Sequence, residues 1–303
     1  MKLKNLLLFV FFILMSSVIS AQTSVINDAN FELYLETHDA NGNYVGPNSP
    51  NNMGNNIVGD NLVLTSRINT VTKLELIYTG SNALGAVKEI SSLYGIKSFT
   101  ALETFIFSNH TINKAYLHNN SNLKFVQLTN NSLMTEASLN GNKHLQTLDL
   151  SYSNVNRVEA KAFSKLEVLK LANNANITEI ELTNNDDLLE LDISGTGITT
   201  LDISKNLKLT SLNTSRIASF NALDVSQNVK LESLNAANNN LTSIDVTKNV
   251  LLTDLNLGGN VFTTLDITKN ILLTDLSLSS CHYSFVNIDV TKNILLKNLD
   301  VSS

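Results

Sequence analysis

The sequence predicts a repeat solenoid: a β-rich stack of coils with two short parallel strands in each, carrying a small α-helical or irregular N-terminal cap. Three observations predict it. Leucines opening similar blocks fall at Leu102, Leu123, Leu145, Leu166, Leu188, Leu209, Leu231, Leu252, Leu273 and Leu296, with spacings of 21 to 23 residues. Within a block the apolar offsets are 0, 3, 5, 10, 13 and 15, as in Leu252, Leu255, Leu257, Phe262, Leu265 and Ile267. Polar side chains recur at two further fixed offsets.

The L-x-L and L-D-I segments alternate apolar and polar with period 2, so each reads as a short strand with one buried face. The turn residues between them (ITKN, VTKN, LGGN) and the β-branched enrichment exclude a helix. Two strands per turn make a coil. Six buried side chains at about 1.5–3 kcal/mol each do not offset about 1–2 kcal/mol per ordered residue, so stacked neighbours must supply the rest. About nine or ten coils follow, the last incomplete.

The polar offsets mark the corners. At the first stand Asn131, Asn174, Asn239 and Asn260, replaced by His110, Ser153, Thr196 and Cys281 in other coils. At the second stand Asn120, Asn142, Asn185, Asn206, Asn228, Asn249, Asn270 and Asn293, with Phe163 the exception. An inward amide both donates and accepts, so stacked asparagines can satisfy the backbone of tight bends. The expectation is that every coil turns twice on a polar side chain, in two ladders.

This pattern resembles the leucine-rich repeat family, whose L-x-x-L-x-L-x-x-N/C-x-L consensus tolerates cysteine at the ladder position. It is most similar to a short bacterial subclass, roughly LxxLxLxxNxLxxLDVxxNxx, of proteins exported by Gram-negative bacteria. The resemblance runs from about residue 102 to the C-terminus. It implies that Cys281 is a ladder residue rather than a nucleophile. It also implies a recognition face on the L-x-L strands and, since such arrays often precede a C-terminal sorting domain, either that the chain ending at LDVSS is a truncated fragment or that its last strand lies open. That last strand is expected to be an edge open to association.

The start, MKLKNLLLFVFFILMSSVISAQ, has Lys2 and Lys4, a ten-residue apolar run from Leu6 to Met15, then small residues to Ala21. That reads as a secretory signal, too short to span a bilayer. The division expected is 1–21 signal peptide, 22–100 cap and degenerate first coil, and 101–303 solenoid. In the cap, DANFELYLETH reads as one helix capped by Asp28, resembling the cap of the subclass. GNYVGPNSPNNMGNN reads as a mobile polar loop, INTVTKLELIY as a strand, and ISSLYGIKSFTALETF as a degenerate coil.

Composition narrows the function. Without the signal the chain carries 19 basic against 27 acidic side chains, which argues against nucleic acid as a partner. A single cysteine allows no internal disulfide. Asp39, Asn41 and Asn43 look like half of a calcium loop, but Tyr44 and Pro50 stand where glycine and glutamate are required. No catalytic or metal-binding spacing occurs, and the five histidines are scattered. Neither enzyme activity nor a cofactor is expected.

Surface remains. Outward on the second segment, Glu159, Glu181, Asp202, Asp224, Asp245, Asp266 and Asp289 form an acidic column, flanked by Lys205, Lys248, Lys269 and Lys292. It reads as a solubilising face, or alternatively as a cation-binding strip. On the L-x-L strands, outward positions vary most in the N-terminal half: Ile106, Phe125, Gln127, Asp149, Val168, Lys170, Glu190 and Asp192. Ile106 and Phe125 are exposed apolar groups, explained by the cap or by a partner. The function expected is an exported adhesion or binding module for a protein or glycan, secreted, periplasmic or at the cell surface. The alternative is a structural spacer displaying another domain.

Overall fold

A computed structural model describes residues 21–281 and 288–302; residues 1–20 of the expected signal segment, and His282 among the five histidines, lie outside the described residues. Strands β1 (Thr23–Val25) and β2 (Leu62–Leu64) pair antiparallel and flank α1 (Ala29–Thr37), and β2 leads into the single turn α2 (Thr65–Ile68). The remaining strands are β3 (Lys73–Ile77), β4 (Thr104–Ser108), β5 (Lys114–Tyr116), β6 (Phe125–Gln127), β7 (Glu136–Ser138), β8 (Thr147–Asp149), β9 (Val168–Lys170), β10 (Glu190–Asp192), β11 (Ser211–Asn213), β12 (Ser233–Asn235), β13 (Asp254–Asn256), β14 (Asp275–Ser277) and β15 (Asn298–Asp300). Except for β5 and β7, the strands from β3 onward form one parallel sheet of 11 strands in chain order, one coil per strand. Their central residues point inward, Leu191, Leu212, Leu234, Leu255 and Leu276 among them, each at most 2% exposed. The result is a parallel β-solenoid with little helix and one continuous apolar core.

Among the described residues the second strand expected in every coil forms in two coils, where β5 pairs with β7. In later coils the outward residue is aspartate, and its carboxylate closes the turn that leaves the segment by accepting the N–H two residues on: Asp202 from Ser204 at 3.0 Å, Asp224 from Ser226 at 2.8 Å, Asp245 from Thr247 and Asp266 from Thr268, both at 2.9 Å. Where Tyr116 and Ser138 stand instead, the Leu117 N–H reaches Ser138 O at 2.8 Å.

The N-terminal helix is capped by Asp28, whose Oδ1 accepts the N–H groups of Asn30 and Phe31. Phe31 stacks on Phe99, 6.1 Å between ring centroids, joining helix and first coil. The same helix face buries two further carboxylates. Glu32 Oε1 accepts from Gly59, Asp60 and Asn61 N–H, and the Glu36 carboxylate accepts from Asn55 and Asn56 N–H. Burial pushes the Glu32 carboxyl above its usual range, against the lowering effect of those backbone bonds. The loop read from sequence as mobile is thus pinned. Arg67 Nη1 also donates to Asn52 Oδ1 at 2.6 Å, and Asn52 and Met53 are each only 2% exposed.

Candidate functional site

The L-x-L sheet sets the expected recognition residues in two rows. Pairing in register places Ile106, Gln127, Asp149, Lys170 and Asp192 in one row, and Phe125, Val168 and Glu190 in the other. All eight are partly buried, because in-register neighbours cover their flanks. Lys170 Nζ meets Glu190 Oε1 at 2.8 Å. The Glu190 carboxylate, with Asp149 and Asp192 adding to it, holds the Lys170 ammonium above its usual range, against partial burial. Asp149 and Asp192 also close the turns that leave their strands, accepting from Ser151 and Ser194 N–H, both at 2.9 Å. Asn213, Asn235 and Asn256 repeat that bond to Ser215, Ala237 and Gly258. The row therefore shapes the backbone as well as facing solvent. A cavity between cap and sheet is lined by Tyr34, Gly42, Lys73, Glu75 and Ile77, one strand before Ile106; neither Ile106 nor Phe125 lines it.

A concavity of about 520 Å³ lies over the C-terminal coils, lined among others by Asn235, Asp254, Asn256, Asp275, Ser277 and Asp300. Sequence reasoning placed the varied outward positions in the N-terminal half and omitted Asp254 and Asp275. Their in-register pairing was available from the repeat itself. Thr253 and Thr274 hydroxyls donate to the Asp254 and Asp275 carboxylates, at 2.7 and 2.6 Å, and the Asp275 carboxyl is lowered by Thr274 first and Asn298 second.

At the second corner each asparagine donates both amide protons to carbonyls of the preceding coil. Asn249 reaches Val225 O at 3.0 Å and Asn228 O at 2.9 Å, and Asn270 reaches Val246 O at 3.0 Å and Asn249 O at 2.8 Å. Asn120, Asn142, Asn185, Asn206, Asn228 and Asn293 repeat the scheme. The side-chain oxygens of Asn120, Asn142, Asn185, Asn206, Asn249, Asn270 and Asn293 accept nothing. Phe163 is not alone. Phe99 holds the equivalent place, and each phenylalanine follows a single 3-10 turn, Ile96–Ser98 or Ala160–Ala162. The related strings IKSFTAL and AKAFSKL carried that signal.

At the first corner the side chains act differently. Asn260 accepts the Leu241 N–H at 3.0 Å and donates to Ala236 O and Leu257 O, both at 2.8 Å; Asn131, Asn174 and Asn239 likewise both accept and donate. His110 reproduces this with a ring: Nδ1 accepts the Ile90 N–H at 3.0 Å, and Nε2 donates to Leu76 O at 3.1 Å. That pairing requires a neutral imidazole, and burial pushes its pKa down. Ser153, Thr196 and Cys281 each donate once, to Leu128, Ile193 and Leu257 carbonyls. Cys281 is partly buried, its Sγ 3.4 Å from Leu257 O.

Besides the coil of Phe163, a second coil breaks the expected rule that both corners are polar. Its first corner is Ile217, 1% exposed. The carbonyl that an asparagine there would serve, Ile193 O, is already bonded by Thr196 Oγ1 at 2.7 Å.

Outward on that flank, Asp202, Asp224, Asp245, Asp266 and Asp289 carry carboxyls below their usual range, chiefly through hydrogen bonds to residues two positions on. Lys205, Lys248, Lys269 and Lys292 assist in their own coils, while the Asp245 charge works against both Asp224 and Asp266. Glu181 is held by Lys161 at 2.6 Å, and Glu159 by Arg157 at 2.6 Å. Among the described residues no group of three or more metal-ligating side chains converges, in this column or elsewhere. In the cap, Asp39 Oδ1 accepts from Asn41 and Asn43 N–H, closing a turn on itself.

No family model matches the chain, and no curated protein matches it in sequence. Solved structures do resemble it. The functional domain of InlJ from Listeria monocytogenes, described as including a cysteine ladder, is 24% identical over 93% of this chain and 62% of its own, with a TM-score of 0.68. The internalin InlF from the same organism is 16% identical over 91% of this chain and 82% of its own, at 0.59. A leucine-rich repeat protein of Leptospira interrogans is 21% identical over 69% of this chain and 62% of its own, at 0.57. The chain thus spans 62% of the length of the first and third of these. They show that the solenoid has the leucine-rich repeat fold.

Proposed function

We propose that this chain is a binding module of the exported leucine-rich repeat kind, without catalysis, which engages a protein or glycan through the outward face of the L-x-L sheet. The observation that carries the reading is the sheet itself: eleven parallel strands in register present two unbroken rows of side chains. A surface built that way changes partner by changing outward residues, while the inward leucines stay fixed. Export is part of the proposal, resting on the leader-like segment 1–21, as is the division into cap 22–100 and array 101–303. Among the described residues no helix is long and apolar enough to cross a membrane. The position of Cys281 among ladder asparagines invites comparison with the cysteine ladder described for InlJ; here it supplies one weak donor.

Capture of partners from the native surroundings tests the proposal, using the intact chain beside two variants of unchanged melting temperature. Phe125→Asp with Gln127→Arg alters the N-terminal half of the sheet, and Asp254→Lys with Asp275→Lys alters the C-terminal concavity. Loss of one partner in either variant is the expected result. A partner retained at full strength by both variants would remove the sheet face as the site.

A further inference from the structure

A further cavity lies on the flank opposite the main sheet, near the N-terminal end, and its walls are fixed before any ligand arrives. One wall is the segment 91–97. Asp28 Oδ2 holds it by accepting from Ser91 N–H, Ser91 Oγ and Ser92 N–H at 2.8, 2.8 and 3.2 Å. Gly95 bends it at φ +100, where a Cβ would fall 2.4 Å from Val25 O. That bend leaves Tyr94 52% exposed between buried Leu93 and Ile96. The other wall is β5, which has a backbone ladder to β7. Its Ala115 points inward and its Tyr116 outward, 47% exposed. Asn120 ties the walls together by donating to Ile96 O and Phe99 O.

The space enclosed is about 450 Å³, within the range of small-ligand sites. Tyr94 and Tyr116 line it, with His118 set edge-on to Tyr116, 6.4 Å between centroids. Asn113 and Asn119 add amides, and the charged lining is cationic, Lys97 and Lys114, in a chain of net charge −6. Lys114 is paired with Glu136 at 2.8 Å, whereas Lys97 enters none of the described ion pairs. The outward place that holds a carboxylate from Glu159 onward holds Tyr116 here.

We propose that this cavity binds an acidic pyranose, the sugar ring lying against Tyr94 and Tyr116 and its carboxylate meeting Lys97. Tyrosine faces present apolar surface for the ring's C–H side with a polar rim for hydroxyls. The free amides of Asn113 and Asn119 supply donors and acceptors at the edge. Rigid walls spare the ordering cost of binding. The site is separate from the sheet face, so its fate does not depend on the function proposed above.

Isothermal titration of the whole chain with four probes tests it: a galacturonic acid trimer, the neutral galactose trimer, acetate and a proline hexapeptide. The acidic trimer is expected to bind, the neutral trimer at least about tenfold more weakly, and the other two not at all. Tyr94→Ala and Tyr116→Ala, both at half-exposed positions and so expected to fold, should each weaken the acidic trimer about tenfold. Lys97→Met should abolish the preference over the neutral trimer. Equal binding of both trimers, binding of the peptide instead, or affinity unchanged by the tyrosine variants would each overturn the proposal.

Discussion

The two flanks of each coil hold their neighbours by different bonds. On the sheet flank the backbone does it, strand to strand, and the first corner beside it accepts asparagine, histidine, serine, threonine, cysteine and isoleucine. On the opposite flank the aspartate-capped coils have no ladder, and the coil-to-coil hydrogen bonds described at the second corner are the two from each asparagine amide. There the column is nearly uniform. Serine, threonine or cysteine has one proton to give, and this corner uses two. The difference teaches that a ladder position is as variable as the backbone around it allows. In the aspartate-capped coils the side chains stand in for a missing ladder and are held to asparagine; at the first corner, where they supplement one, they are not.

The largest expected effect follows from reversing the donor at the uniform corner. Asn249→Asp would set an acceptor, buried at 0% exposure, against two carbonyls. It should cost about 3–5 kcal/mol, by analogy with an unpaired buried charge, read as a fall in the urea midpoint. A loss below about 1 kcal/mol would mean that the amide protons contribute little.

Acid should separate the two flanks more gently. The His110 pKa is lowered by burial, so the stabilisation it provides is complete above the ordinary value near 6.5 and fades as pH falls through 6.5 toward the lowered folded value. The Asp202, Asp245, Asp266 and Asp289 carboxyls are lowered too, so theirs is complete above 3.8 and fades as pH drops through their folded values below it. Two steps are expected in stability against pH. His110→Asn, which supplies the same donor and acceptor as Asn131, should erase the first and leave the second. Persistence of the upper step in that variant would assign it to another group.

Much of this architecture was legible in the sequence, because every inward leucine answers to the same shared core and so repeats. The second strand was misread for a physical reason: alternation marks a half-buried segment, but not whether its backbone pairs with that of the next coil. The isoleucine corner was missed because Ile217 departs from the polar period that marks the other first corners. The burial of Glu32 and Glu36 was not read from the sequence. Their partners are backbone N–H groups of the segment 55–61, which carry no sequence signature. The candidate recognition rows could be written down, since alternation fixes which side chains face outward. The concavity over β12 to β15 could not, because curvature is a property of the stack.

One matched pair of substitutions tests the distinction between the flanks most directly. Asn142 and Asn249 are both 0% exposed, both donate twice to the preceding coil and both leave Oδ1 unpaired. They differ in that the β5–β7 ladder joins the coils beside Asn142. In urea unfolding, Asn249→Ala should cost about 2–3 kcal/mol and Asn142→Ala about 1 kcal/mol. Equal losses, or a larger one at Asn142, would contradict the claim that these asparagines stand in for a missing ladder.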